Sequence, residues 1–124
     1  MMEYRTSLNE LVEAAHSNAI KKGFYDDITA LRGYLAKQDQ QAMRAAAKRD
    51  FVLSQLAKIG CEVGEAVQEI QRKGVDAESV AEELADVIIR VCDLAGYMDI
   101  NLGRAVHKKM LYNATRPYKH GKHC

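Results

Sequence analysis

Little in this chain interrupts a helix. Proline occurs once, at Pro117, and the run from Gln40 to Lys73 contains none. Acids are missing altogether after Asp99, while cations continue through Arg104, Lys108, Lys109, Arg116, Lys119 and Lys122. Cysteines number three, Cys61, Cys92 and Cys124, with no close CxxC pair. An odd, scattered set argues against a disulfide framework and against a structural zinc site. Cys61 and Cys92 lie in apolar helical stretches and read as small core residues. No apolar run reaches membrane length and no signal peptide is visible, so a reduced, cytoplasmic protein with no membrane partner is expected. The net charge is only +1. That excludes a strong global field, and no stable nucleic-acid binding is expected. No stretch shows convincing period-two alternation, and there is no repeat and no low-complexity linker.

What is present is helical. At 124 residues the length fits one domain, 1–124, and helical chains of this size often complete their burial by dimerising. Ser7 and Glu10 have capping-box spacing before a helix with Leu8, Leu11, Val12, Ala15 and Ala19 on one side, ending at Gly23. Asp26 or Asp27 caps a second helix, roughly 28–37, with Ile28, Leu31 and Leu35 as its apolar side. Asp39 starts the longest helix, whose core face is Leu56, Ile59, Val63, Val67 and Ile70. Gly60 and Gly64, four apart, permit close approach of a helix or a ligand. Gly74 closes this helix, and Asp76 caps the next, about 77–97. Asp99 caps a last helix, about 100–115, with Leu102, Val106 and Met110 inward, and Pro117 stops it. The fold class is all-α: a four- to five-helix antiparallel bundle.

Residues 58–93 hold the most informative pattern. Glu62 and Glu65 lie three apart on one helix, and Glu83 and Asp86 three apart on the next. Residues at that spacing share a helix face. The second helix is otherwise apolar, with Val80, Leu84, Val87, Ile88, Ile89 and Val91. Carboxylates in such a helix are costly without a cationic partner. On consecutive antiparallel helices the two pairs face each other, and a divalent ion held by oxygens turns their repulsion into coordination. A solvated acidic face is the ordinary alternative. Asp93 follows two turns on, either as an outer-shell acid or as the partner of a basic residue such as Arg90.

Two further groups stand out. Lys109, Asn113 and Arg116, spaced four and three apart, share a face of the last helix, and Lys119 and Lys122 follow. Lys and Arg neutralise phosphate oxygens and Asn supplies a directional amide; a solvated basic helix end is the alternative. His16 with Phe24 and Tyr25 offers stacking and hydrogen bonding to a base, or plain core packing.

In this order, the pieces resemble the MazG-like all-α nucleoside triphosphate pyrophosphohydrolases, a superfamily that includes dimeric dUTPases and phosphoribosyl-ATP pyrophosphatases. Glu62, Glu65, Glu83 and Asp86 match the family's E-x-x-E and E-x-x-D; Lys109, Asn113 and Arg116 match its K-x-x-x-N-x-x-R. The closing 119–122 segment and the stretch from His16 to Tyr25, where members often end in Trp, are also similar. Cys61 departs from the pattern, since members often carry another Glu there. The resemblance covers most of 8–122 and is weakest across 28–48.

The resemblance implies Mg²⁺-dependent hydrolysis of a (d)NTP to a (d)NMP and pyrophosphate, with Mn²⁺ as a possible substitute ion. It makes Glu62, Glu65, Glu83 and Asp86 the catalytic and metal-binding residues. His16, Phe24 and Tyr25 contact the base; Lys109, Asn113, Arg116, Lys119 and Lys122 contact phosphate. Clearing of surplus nucleotides and a homodimer or homotetramer are implied in the same way. The alternatives are a sibling enzyme, a phosphoribosyl-ATP pyrophosphatase or a dUTPase, and a non-catalytic helical interaction module.

Overall fold

The computed structural model describes residues 5–121. Five α-helices follow one another: α1 (Arg5–Lys21), α2 (Asp26–Lys37), α3 (Gln41–Lys73), α4 (Ala77–Tyr97) and α5 (Leu102–Ala114), with a short 3₁₀ turn at Tyr118–Gly121. The fold is all-α, as the lack of alternating segments implies, and no strand occurs among the described residues. No helix among them is long and apolar enough to cross a membrane.

Two of the expected helix ends form as the sequence indicates. Gly74 closes α3 with φ 78°, its N–H donating to the Ile70 carbonyl. Asp76 caps α4: its Oδ2 accepts from the Ser79 backbone N–H at 3.3 Å and from the Ser79 hydroxyl at 2.9 Å. Other ends differ. α1 is already helical at Arg5, so Ser7 and Glu10 lie inside the helix and form no capping box. Asp26 and Asp27 sit in the first turn of α2 rather than capping it. Asp39 and Asp99 take left-handed φ of 55° and 54°, a conformation Asp tolerates in turns. The cap of α5 is Asn101, whose Oδ1 accepts from the Arg104 N–H at 3.0 Å and from the Asn9 amide at 2.8 Å. Asn9 in turn accepts from the Gly103 N–H at 2.9 Å, which ties α1 to the start of α5.

α4 packs against both α1 and α3, α2 against α3, and α5 against α1. The core is small and divided. Val12 of α1 meets Cys92 and Ala95 of α4, with Leu8, Ala15 and Leu102 around them. Ala19, Tyr25 and Ile28 form the other cluster, with Ala47, Phe51 and Tyr97 against it. Gly96 sets the spacing of α1 and α4: a Cβ there would lie 2.5 Å from the Cβ of His16. Gly60 and Gly64, expected to serve close approach, have no such neighbour, since a Cβ on either meets nothing within 4 Å.

The long helix α3 departs most from expectation. None of its 33 residues is buried, and Leu56, Val63, Val67 and Ile70, the expected core face, are exposed. The physical reason is that α2 and α4 cover only part of a helix about 50 Å long. The cysteine expectation holds for Cys92, which is 1% exposed, but not for Cys61, which faces solvent on α3. On α5 and α2, Met110 and Leu31 are likewise exposed where inward positions were expected.

Candidate functional site

α3 and α4 are joined by a short turn and run antiparallel: Glu62 pairs with Arg90, while Glu65, further along α3, feels Glu83, earlier on α4. This pairing brings Glu62 to Glu83 and Asp86. One oxygen from each carboxylate lies within 4.8 Å of the others. Glu83 is pushed above the ordinary carboxylate range by loss of solvent, then by the charge of Asp86, and then by Glu65, Glu69 and Glu62. Glu65 therefore contributes field without joining the converging three; it is exposed. All the donors are hard carboxylate oxygens, with no imidazole or thiolate among them. That set suits Mg²⁺ or Mn²⁺ better than zinc.

One cation already leans on the cluster. The Arg90 Nε donates to Glu62 Oε1 at 2.6 Å. Arg90 lies one turn beyond Asp86 on α4, and nothing in the sequence alone paired it with Glu62, 28 positions away. It is the group the sequence had offered to Asp93.

Asp93 has other partners. Its Oδ1 accepts from the Tyr25 hydroxyl at 2.7 Å and from His16 Nδ1 at 3.0 Å. A carboxylate can only accept, so the imidazole proton facing it sits on Nδ1. Burial, followed by the hydrogen bond to Asp93, drives the Tyr25 phenol far above its ordinary value, so it remains a neutral donor. Its ring is held on several sides. Tyr97 stacks on it at 5.1 Å and 16°, Phe51 tilts against it at 5.6 Å, and His16 meets it edge-on at 4.8 Å.

Between these two assemblies lies a cavity of about 380 Å³. Glu62 and Asp86 form part of its lining, Phe24 and Tyr25 another part, and Lys58 and Arg90 are its cations. Phe24 is 73% exposed, an open flat surface at the rim, whereas Tyr25 is fixed in the core. His16 reaches Tyr25 and Asp93 but does not line this cavity; it lines a second one of about 480 Å³, shared with Tyr25, Tyr97 and Thr29.

The basic residues of α5 and of the segment after it are placed elsewhere. The Lys109 ammonium lies 4.9 Å from the centre of the Tyr112 ring, and the Arg116 guanidinium 5.5 Å from the same ring. Lys119 lies 5.6 Å from the Tyr118 ring. The Asn113 Oδ1 is buried without a hydrogen-bond partner. None of these four residues lines the cavity beside the carboxylates. Lys122 lies outside the described residues.

Sequence reasoning missed Lys58, the place of Arg90 beside Glu62 and the real partners of Asp93. A signal existed for the second. Glu83, Asp86, Arg90 and Asp93 are spaced three, four and three, which continues one polar stripe along an apolar helix. The aromatic support from Phe51 and Tyr97 had no local signal, because those residues meet Tyr25 only through tertiary packing.

The family model of the MazG nucleotide pyrophosphohydrolase domain matches residues 52–116, just over half of the chain. No match was found among curated proteins or among solved structures.

Proposed function

The chain belongs to the MazG nucleotide pyrophosphohydrolase domain family, and from that premise we propose that it is a Mg²⁺-dependent nucleoside triphosphate pyrophosphohydrolase, splitting a (d)NTP into a (d)NMP and pyrophosphate. One observation carries this reading. Two of the three converging carboxylates, Glu62 and Asp86, border the same cavity as a flat aromatic surface, so a charged and a planar part of one ligand both find a match.

Glu62, Glu83 and Asp86 would hold the ion. When bound there, a divalent cation neutralises triphosphate charge and makes water a better nucleophile. Glu65, exposed beside Glu83, is the carboxylate left to take a proton from the attacking water. Lys58 and Arg90 neutralise phosphate oxygens from the cavity wall, where charge develops as the α–β bond breaks. Phe24 offers the face on which a base stacks, and the buried Tyr25 shapes the end of the cavity. His16 fixes that end through Asp93.

Lys109, Asn113, Arg116, Lys119 and Lys122 retain their proposed role at the phosphates, delivered by a second copy of the chain. Support comes from α3. Its Leu56, Val63 and Val67, with Leu84 and Ile88 of α4, are all exposed, and an exposed apolar face of this kind is a candidate for contact with another chain. The proposed assembly is a homodimer or homotetramer, and the proposed role is clearing surplus or non-standard nucleotides in the cytoplasm.

The deciding experiment incubates the protein with a panel of NTPs and dNTPs plus Mg²⁺ and separates the products. Monophosphate and pyrophosphate in equal amounts are expected. Orthophosphate as the only product overturns the reaction type. Including dUTP and phosphoribosyl-ATP in the panel separates this reading from the two sibling specialisations. Sedimentation equilibrium tests the assembly, and a monomer at micromolar concentration removes the second-copy role for α5.

A further inference from the structure

Asp93 makes both of its hydrogen bonds through the same oxygen. The Tyr25 hydroxyl and His16 Nδ1 both donate to Oδ1. Oδ2 has no hydrogen bond, and it is not among the sealed, unpartnered polar atoms of the described residues. It therefore stays open as an acceptor. Asp93 also lines the cavity that Glu62 and Asp86 border, along with Phe24, Tyr25, Asn18 and Gln55.

From this we propose that Asp93 selects the base: the cavity takes nucleotides whose base carries an exocyclic amino group, as in cytosine or adenine, over their oxo counterparts. The proposal rests on the nucleotide reading above and deepens it. A carboxylate oxygen can only accept. An amino group offers it an N–H, and a charge-assisted bond of that kind is stronger than a neutral one. An oxo group at the same ring position brings lone pairs toward a negative oxygen, and repulsion replaces the bond. Discrimination is strong at sites built to hydrogen-bond a polar substituent, because the partner left unpaired is itself penalised. The two donors on Oδ1 pin the carboxylate plane, so Oδ2 keeps its orientation before a ligand arrives.

The same geometry dictates what asparagine would do. In Asp93→Asn the amide carbonyl has to stay at the Oδ1 position, since Tyr25 and His16 both donate there. The NH₂ group then occupies the place of Oδ2. The acceptor becomes a donor without a change of shape, and preference should move to the oxo base.

The test compares kcat/KM within pairs that exchange an amino group for an oxo group together with a proton on the adjacent ring nitrogen: CTP with UTP, and ATP with ITP, in ribose and deoxyribose forms. The wild-type protein should favour the amino member by about ten- to a hundredfold, the range expected for a hydrogen bond to a charged group. Asp93→Asn should lose or invert that ratio while Mg²⁺-dependent release of pyrophosphate continues. Equal rates within both pairs for the wild-type protein, or an unchanged ratio in the variant, overturn the proposal. Should the variant fail to fold by circular dichroism, N4,N4-dimethyl-dCTP replaces it as the probe with the wild-type protein. That analogue has no N–H to give, so it should fall to the dUTP level; turnover equal to dCTP overturns the inference. Hydrolysis of none of these nucleotides instead overturns the pyrophosphohydrolase reading, and the base preference falls with it.

Discussion

Helix α4 carries two kinds of carboxylate on a single stripe. Glu83 and Asp86, near its start, face Glu62, and loss of solvent followed by the charge of the neighbouring carboxylates raises the proton affinity of Glu83. Asp93, two turns later, is partly buried and accepts hydrogen bonds from a phenol and an imidazole. The first group has too few donors and the second is supplied with two. A carboxylate surrounded by carboxylates is arranged for a cation that the chain itself does not provide. A carboxylate with two fixed donors is arranged to hold a position. The structure thus separates, on one helix, carboxylates short of donors from a carboxylate supplied with two. Sequence spacing alone makes them look alike.

The largest test of this contrast is Asp86→Asn. It removes one charged oxygen donor from the converging three and leaves side-chain volume unchanged. Loss of an outer-shell partner alone costs about 10–100-fold at metal sites, so loss of a direct donor should lower nucleotide hydrolysis by more than about 100-fold. The far-UV circular dichroism should not change, because Asp86 is exposed and supports no packing. Near-normal turnover would remove Asp86 from the metal set and erase the difference between the two ends of the stripe.

Gly96→Ala attacks the other end. The new methyl would lie 2.5 Å from His16 Cβ and 2.7 Å from His16 Cγ. These atoms sit at the root of a side chain, so relief requires α1 and α4 to part. Overpacking of this sort costs about 1–3 kcal/mol, and thermal unfolding should begin several degrees lower. The His16–Asp93 bond should loosen with it, which weakens discrimination between bases more than it weakens metal binding. An unchanged melting temperature would mean that α1 and α4 are not in such close contact.

How much of this was legible beforehand follows from distance along the chain. Local features were readable: the Gly74 and Asp76 ends, the five helices, and the E-x-x-E and E-x-x-D pairs. Caps were less so, because Asp serves equally well as a cap and as a left-handed turn residue, and Asp39 and Asp99 took the second option. The periodic apolar face of α3 was read correctly as a stripe but wrongly as core. Periodicity reports that a face is apolar and not which chain covers it. Gly96 passed unnoticed while Gly60 and Gly64 drew attention, since glycine spacing carries no information about what lies opposite. Three of the four expected carboxylate ligands converge, and Glu65 stands aside. Which rotation of two antiparallel helices brings which acid forward depends on packing with α1, beyond the reach of spacing.

A smaller effect should come from Glu83→Gln, and its sign can be worked out. Folding raises the proton affinity of Glu83 above that of the unfolded chain. Between the unfolded and folded pKa values the native state therefore binds more protons than the unfolded state, and stability falls as pH rises through that window. At neutral pH the ion-free protein bears the full penalty. Glu83→Gln removes the charge, so in chelator its melting temperature should exceed that of the wild-type protein, and the gain should vanish below the unfolded carboxyl pKa. Added Mg²⁺ should stabilise the wild-type protein and leave the variant almost unmoved. A variant less stable than wild type in chelator would show that Glu83 has a favourable partner and belongs with Asp93 in kind.

The smallest effect on stability, and the sharpest on the comparison, belongs to Arg90→Gln. Arg90 stands on the stripe between the two carboxylate groups and donates to Glu62 at 2.6 Å. Its side chain is 43% exposed, and ion pairs open to solvent contribute less than about 1 kcal/mol, so unfolding should barely change. Its charge, however, opposes any divalent ion approaching the same carboxylate. A unit charge several ångströms away in a watery site alters divalent affinity by about two- to tenfold. Titration of the variant with Mn²⁺ in the absence of nucleotide should show tighter binding by that factor, while the Michaelis constant for the triphosphate rises because a cavity cation is lost. Weaker Mn²⁺ binding would assign Arg90 the opposite part: it would then orient Glu62 as Tyr25 and His16 orient Asp93, and both ends of the stripe would be positioned by donors from this chain.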